Sequence, residues 1–266
     1  MNILLCNDDG YQAPGLKVLW EVAKEYGDTR VIAPDRNKSA ASHSLTVHRP
    51  MVVKKGDNGF YYVNGTPTDC VHLAGVVFKD FKPDFVFSGI NDGVNMGEDV
   101  LFSGTVGCAT QGYLLGISSV AFSLRMQEGK KAPWDTVRIA LKDLIEKIIR
   151  LHIIRPILWN VNLPSVQPEN LKGVRVVSLG SRKADQKPFV QVNPYGETVY
   201  WMGPMGRPKK SDHDTDFSLN AQGYVTVTPL TTDRTDYQRL GVAKEALASI
   251  EAVSYTHLTL PTSDLV

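Results

Sequence analysis

With 266 residues, the chain is long enough to bury a full core, as one large α/β domain or as a domain with an appendage. Its 29 lysines and arginines nearly balance 28 aspartates and glutamates, so no global field draws it to a nucleic-acid polymer or an anionic membrane, and partner choice falls to a local site. Hydrophobic content of 42% and charged content of 21% are those of a soluble globular protein. No apolar run reaches the roughly 18 residues of a membrane span, the N-terminus has no basic leader, and Cys6, Cys70 and Cys108 lack paired spacing and read as reduced core thiols. The expected compartment is the cytoplasm.

The apolar run at residues 2–6 reads as a buried parallel strand that stops at Asn7-Asp8-Asp9-Gly10. Once the backbone turns, both carboxylates face one crevice, and a divalent cation is the common remedy for like charges so close together. The same four residues are also simply a good turn sequence. Leu16, Leu19, Trp20 and Ala23 then recur at helical spacing over residues 16–26, Gly27 stops the helix, and residues 29–33 form a second strand. This βαβ start calls for a parallel sheet with a right-handed crossover, and it lacks the Gly-x-Gly-x-x-Gly dinucleotide fingerprint.

Residues 34–44 form a loop of hydroxyls, amide and cations, suited to an anion and equally compatible with plain solvation. A hairpin is expected from residues 51–53 and 60–63. A helix starts at Thr66-Pro67-Thr68-Asp69. The next buried strand, residues 83–87, ends in an Asn- and Asp-rich loop through Asn91 and Asn95 to Ser103-Gly104-Thr105, where a further helix begins. Such a helix start favours a phosphate, although ordinary capping by Ser103 or Thr105 reads the same.

Residues 119–123 are another strand, and residues 134–151 carry Val137, Leu141, Leu144, Ile148 and Leu151 on one stripe of an amphipathic helix. Strands are expected at 157–162 and 174–178. From Ser181 short aromatic strands suggest an antiparallel extension, pairing between subunits or folding back as a flap. Residues 214–217 and 223–230 return as a strand, and a last helix spans about 242–252. Residues 253–266 look like the in-frame translation of a sequencing adapter and are set outside the fold.

These elements predict a Rossmann-like α/β fold: a mostly parallel sheet with helices on both faces, plus a C-terminal β-hairpin-rich oligomerisation extension. The division is a core at 1–180, an extension and terminal helix at 181–252 completing the same domain, and a non-native tail at 253–266. Ligands bind such sheets outside the carboxyl ends of the strands. There Asp8 and Asp9, Ser39, and Asn91 converge from three loops as a hard oxygen set for magnesium, manganese or calcium. The six histidines are dispersed.

Five blocks occur in order: Asn7-Asp8-Asp9-Gly10, Ala33-Pro34-Asp35-Arg36-Asn37-Lys38-Ser39, Gly65-Thr66-Pro67-Thr68-Asp69-Cys70, Ser88-Gly89-Ile90-Asn91 and Ser103-Gly104-Thr105-Val106. In them the chain closely resembles the SurE family of stationary-phase survival nucleotidases, over residues 1 to about 252. Thr215-Asp216-Phe217 and residues 223–230 are similar to the family's C-terminal part. The resemblance implies a phosphatase acting on nucleoside 5′-monophosphates, often on 3′-monophosphates and in some members on short polyphosphate. It implies one divalent cation per subunit, magnesium or manganese with calcium able to occupy the site, held by Asp8, Asp9, Ser39 and Asn91. It further implies a homodimer or homotetramer built by exchange of C-terminal elements. One departure stands out: the family usually has glycine after the metal-binding serine, where this chain has Ala40, a strained choice if the position needs positive φ.

The mechanism this suggests is metal-assisted in-line attack of water on a phosphomonoester, with Asp8 or Asp9 taking the water's proton. Asn37, Ser42, Asn95 and Ser103-Gly104-Thr105 are the candidate phosphate and substrate contacts. A covalent Asp8 nucleophile of the haloacid-dehalogenase kind ranks lower, because that chemistry usually uses Asp-x-Asp. A nucleotide-binding module without turnover is the non-enzyme alternative, and the paired acids weigh against it, since without a metal they repel phosphate.

Overall fold

In the computed structural model, residues 1–127, 129–151, 156–203 and 205–248 are described, and the chain divides into two compact units, Met1–Leu230 and Thr231–Val266. The first unit opens with β1 (Asn2–Cys6), α1 (Pro14–Ala23), β2 (Asp28–Pro34), β3 (Val53–Lys55), β4 (Tyr61–Val63), α2 (Pro67–Val77) and β5 (Phe85–Asp92). A 3-10 turn at Gly97–Leu101 leads into α3 (Gly104–Leu114), β6 (Ser118–Leu124), α4 (Trp134–Arg150), β7 (Leu158–Leu163), a short turn at Pro168–Asn170 and β8 (Val174–Val176). After these come β9 (Phe189–Val192), β10 (Thr198–Trp201), α5 (Asp216–Ala221) and β11 (Val225–Pro229).

The strands other than β9 and β10 form one nine-stranded sheet in the order β3-β4-β2-β1-β5-β6-β7-β11-β8. The run from β4 to β7 is parallel throughout, with β3 and β11 antiparallel to their neighbours β4 and β7. Both faces are covered, as the alternation within β1 shows: Ile3 and Leu5 join the cluster formed with α1 and α4, while Leu4 and Cys6 join the cluster formed with α2 and α3. The stripe on α4 reads as expected, with Val137, Leu141, Leu144 and Ile148 all buried, each such side chain contributing about 1.5–3 kcal/mol. Leu151 falls just past the helix and is 45% exposed.

The chain leaves β1 through α1 to β2 on one side, then returns through α2 to β5 on the other side of β1. The crossovers change face here, so the topological switch point lies between the carboxyl ends of β1 and β5.

The structure departs from the expected elements in two places. β5 does not stop at residue 87 but continues to Asp92, pairing Asn91 with Ser123 across a register shift after Ser88. Gly89 makes this possible: a Cβ there would lie 2.3 Å from the carbonyl oxygen of Phe122, so the strand passes a point only glycine fits. Residues 214–217 were expected in the returning strand, but Asp216 starts α5, with Thr215 and Ser218 forming a reciprocal capping box. This helix of 6 residues is too short to show a hydrophobic period.

β9 and β10 pair antiparallel as a separate two-stranded ribbon on which Phe189, Val190, Val192, Tyr200 and Trp201 are all exposed. In the second unit α6 (Leu240–Leu247) is preceded by a turn in which Tyr237 Oη donates to Asp233 Oδ2 at 2.6 Å and Arg239 Nη1 pairs with Asp236 Oδ2 at 2.8 Å. The last part of the helix expected at 242–252, and the tail at 253–266, lie outside the described residues.

Candidate active site

The acidic turn is built by Asn7, which is fully buried. Its Nδ2 donates to the Gly10 carbonyl at 3.0 Å and its Oδ1 accepts the Gly10 N–H at 3.2 Å. Gly10 takes φ +102°, and a Cβ there would sit 3.1 Å from the backbone of Arg36, so this turn and the loop after β2 approach as closely as their backbones allow. Lys38 N–H donates to the Asp8 carbonyl at 2.7 Å and fastens the same two loops.

The turn aims its two carboxylates differently. Asp8 is 3% exposed and points under the start of α3, where Thr105 donates its hydroxyl to Asp8 Oδ1. Burial pushes the Asp8 carboxyl up, while the Thr105 hydroxyl, with the backbone N–H groups of Thr105 and Gly104, pulls it partly back. Gly104 is needed for this fit, because a Cβ there would come within 2.7 Å of Asp8 Cβ. Asp9 is the more open of the two: its Oδ1 accepts from Asn37 Nδ2 at 3.4 Å and its Oδ2 from the Asp92 N–H at 3.1 Å. Burial, and then the neighbouring Asp8 charge, raise its carboxyl to about 6.

Asn91 donates its amide to the Gly93 carbonyl at 2.8 Å, which leaves Oδ1 facing the Thr105 hydroxyl at 3.2 Å, the same hydroxyl that reaches Asp8. Ser39 donates its hydroxyl to Asn37 Oδ1 at 2.7 Å, which frees its oxygen lone pairs. Asp8, Asp9, Asn37, Ser39, Asn91 and Thr105 thus form one connected set at the switch point. Ser42 is joined at one remove, its Oγ donating to the Leu101 carbonyl at 2.7 Å and its N–H to Phe102 at 3.0 Å. Ser103 caps α3 by accepting the Val106 N–H at 3.1 Å.

Asn95 lies apart from this set: its amide donates to Ser123 Oγ at 2.7 Å, its N–H to Asn162 Oδ1 at 2.9 Å, and its carbonyl accepts from Asn160 and Asn162. Ala40 has φ 60° and Ser42 φ 54°, so both adopt the left-handed conformation that favours glycine.

Sequence reasoning missed the clamp that carries Ser103 into place. Arg182 grips Asp99 with two bonds, Nε to Oδ1 at 2.8 Å and Nη2 to Oδ2 at 2.5 Å, and the Asp99 carbonyl accepts the N–H groups of Phe102 and Ser103, each at 3.0 Å. Asp216, fully buried, accepts the N–H of Gly97 on one oxygen and those of Gly180 and Phe217 on the other, all at 2.8 Å. Behind Asp8 the three free cysteines come together, with the Sγ atoms of Cys6 and Cys108 2.8 Å apart and both near the Pro67 carbonyl.

The donor set suits a hard divalent cation: two adjacent carboxylates, the Asp8 charge raising the proton affinity of Asp9, with a hydroxyl and an amide oxygen. Among the described residues no three His, Cys, Asp or Glu side chains group as metal ligands. The crevice draws only two of its four oxygens from those residue types.

A doubly wound α/β sheet with paired carboxylates and a helix N-terminus meeting at its switch point places the molecule among the α/β proteins whose ligand crevice lies at the carboxyl edge of the sheet. Within that class, the chain belongs to the SurE family: the family described as Survival protein SurE matches residues 3–186. It is 49% identical over 237 residues to the 5′-nucleotidase SurE of Neisseria meningitidis serogroup C, covering 89% of this chain and 95% of the relative. It is 48% identical to the 5′-nucleotidase SurE of Chromobacterium violaceum, covering 90% of this chain and 96% of the relative. The crystal structure of the SurE protein from Aquifex aeolicus superimposes with a TM-score of 0.80 at 39% identity, over 92% of this chain and 99% of that one.

Proposed function

We propose that the chain is a divalent-metal-dependent 5′-nucleotidase that hydrolyses nucleoside 5′-monophosphates to nucleoside and phosphate, with 3′-monophosphates and short polyphosphate as further substrates. The observation that carries this reading is the pair Asp8 and Asp9 at the switch point, with Asp9 raised to about 6 when no cation balances it. Asp8, Asp9, Ser39 and Asn91 would hold one magnesium or manganese ion per subunit, calcium being able to take its place. That ion would supply charge neutralisation at the phosphate and a bound water of lowered pKa.

The chain's own residues do the rest. Thr105 orients Asp8 and offsets part of the cost of burying its charge, and Gly93 turns the Asn91 amide so that its oxygen, not its nitrogen, faces the crevice. Asp9, held from both sides by Asn37 and the Asp92 N–H, is the carboxylate placed to take the proton of the attacking water. Asn37 and the Ser103-Gly104-Thr105 start of α3 face the phosphate oxygens in this reading. Ser42 and Asn95 shape the loops that present these groups. The exposed apolar ribbon β9–β10 supports assembly as a homodimer or homotetramer, with residues 181–230 completing the first unit. No described helix is long and apolar enough to cross a membrane, and three free cysteines fit the reducing cytoplasm. The tail at 253–266 is taken as non-native.

The test is phosphate release from a panel of 5′- and 3′-monophosphates and polyphosphate, with manganese, with magnesium and with chelator. Release that requires metal and disappears in Asp9→Asn supports the site. Undiminished release in that variant removes it, and nucleotide binding in chelator with no release under any metal leaves the chain a binding module.

A further inference from the structure

The loop after β8 and the segment before α5 flank an open pocket of about 480 Å³ outside the set of residues around Asp8 and Asp9. Lys209, Lys210 and His213, the hydroxyl residues Ser181 and Ser211, and the backbone of Gly180 line it. Its one acidic lining residue, Asp212, is solvent-exposed and turned to its neighbour, His213 Nδ1, at 2.9 Å. Among the described residues no ion pair engages Lys209 or Lys210. What remains is a lining with two lysine ammonium groups on aliphatic stems, the Ser181 hydroxyl, and a Ser211 hydroxyl that lies 3.1 Å from His213 Nδ1.

The walls are braced before any ligand arrives. Lys209 N–H donates to the Ser181 carbonyl at 2.8 Å, Lys183 N–H to the Arg207 carbonyl at 2.8 Å, and Arg182 and Pro208 form a β-bridge. Gly180 is fixed by its N–H on Asp216 Oδ1 at 2.8 Å. A braced cavity loses little entropy when it binds. Its volume lies within the roughly 300–1,000 Å³ of small-molecule sites and far above the ~30 Å³ share of one water, so it has room for a molecule rather than a lone ion.

We propose that this cavity is a second anion site, separate from the catalytic crevice, which takes a phosphate-based polyanion of the diphosphate type. Lysine binds phosphate as a point charge without demanding bidentate geometry, and hydroxyls serve its remaining oxygens. Two adjacent lysines match a ligand carrying more than one phosphate charge better than a single orthophosphate. The site stands whether or not the chain is a nucleotidase, because nothing in it uses Asp8, Asp9 or a metal.

The experiment is calorimetric titration of the full chain in chelator at low salt with pyrophosphate, with adenosine 5′-diphosphate and with citrate. The site predicts one equivalent of either phosphate ligand per chain, weakened about tenfold or more in Lys209→Gln/Lys210→Gln and unchanged in Asp9→Asn and Asn37→Ala. Equal affinity for pyrophosphate and the nucleotide means that the diphosphate itself is read; tighter nucleotide binding means that the nucleoside is read as well. The double variant is checked by circular dichroism, and Ser211→Glu supplies an independent charge insertion that must also weaken binding. No binding by the intact chain, binding that survives both variants, binding lost with Asn37→Ala, or citrate binding as tightly as pyrophosphate overturns the proposal.

Discussion

The carboxylate crevice and the β9–β10 ribbon are opposite solutions to placing side chains. In the crevice every functional group is tied to another: Asp8 to Thr105, Asp9 to Asn37 and Asp92, Ser39 to Asn37, Asn91 to Gly93. The ribbon has its backbone pairing and little else, and Phe189, Tyr200 and Trp201 are more than half exposed at 58%, 71% and 61%. A lone two-stranded ribbon is marginal in water, whereas a core-backed crevice is rigid in a single chain. The crevice is therefore held in place within one chain, and the ribbon leaves its apolar side chains uncovered.

The sharpest way to break that contrast is in the crevice. Asp9→Asn removes a charge and a proton acceptor while keeping the shape and one of the two contacts, since the amide nitrogen cannot accept from both Asn37 and the Asp92 N–H. Metal-dependent phosphate release should fall by about a hundredfold or more, with the far-ultraviolet circular dichroism unchanged. Gly104→Ala, by contrast, acts through space alone, since the new Cβ would meet Asp8 Cβ at 2.7 Å. Overpacking of this kind costs about 1–3 kcal/mol, so both the melting temperature and turnover should drop; a variant with wild-type melting and activity would show that α3 does not press on Asp8.

The ribbon should answer differently. Trp201→Lys adds charge to an exposed apolar face and should shift sedimentation toward a smaller species while leaving the melting of the core largely in place. If the species distribution stays fixed, the ribbon is not where copies of the chain meet.

A third difference is one of pH. Asp9 binds its proton more tightly in the folded, metal-free protein, at about 6, than in the unfolded chain, where 3.8 is usual. A raised carboxyl contributes stability that is fully present below the unfolded value and is lost as pH rises through the folded one. The metal-free protein should therefore melt progressively lower between about pH 4 and pH 6, with Asp8 acting in the same direction. Manganese should reverse the loss above pH 6 and have little effect below pH 4, and Asp9→Asn should flatten the slope.

The parts of this site that a sequence reader can see are those whose cause is local. Asn7-Asp8-Asp9-Gly10 is visible because an apolar strand stops and turn residues begin, and Asn7 closes its own turn onto Gly10 three residues on. Thr66 and Asp69 announce α2 by a cap that spans three residues. Asn91 was expected in a loop rather than on β5, because the strand continues through Gly89, and that depends on the Phe122 backbone of another strand. The clamp was invisible for the same reason. Asp216 meets Gly97, and Arg182 meets Asp99, across 119 and 83 residues, separations at which no periodicity reports. Short-range chemistry locates the crevice residues, but long-range packing decides how firmly they are held.

Ala40 tests how finely that local chemistry is tuned, and its expected effect is the smallest. At φ 60° its Cβ crowds the backbone, as Ser42 does at 54°, which costs on the order of 1 kcal/mol per residue. Ala40→Gly removes that strain but adds freedom to the unfolded chain, an opposing effect of about 0.4–1 kcal/mol. The net change in stability should be within about half a kcal/mol of zero, and the informative measurement is manganese affinity instead. Ser39 is held by Asn37 through both its N–H at 2.8 Å and its hydroxyl at 2.7 Å, so the serine is already fixed on the side of the loop away from Ala40. Ala40→Gly should therefore change manganese affinity by less than about threefold, near the 0.6 kcal/mol scale of thermal energy. A gain of tenfold or more would mean that the strain at Ala40 reaches Ser39, and that the Asn37 contacts do not by themselves hold the serine in place.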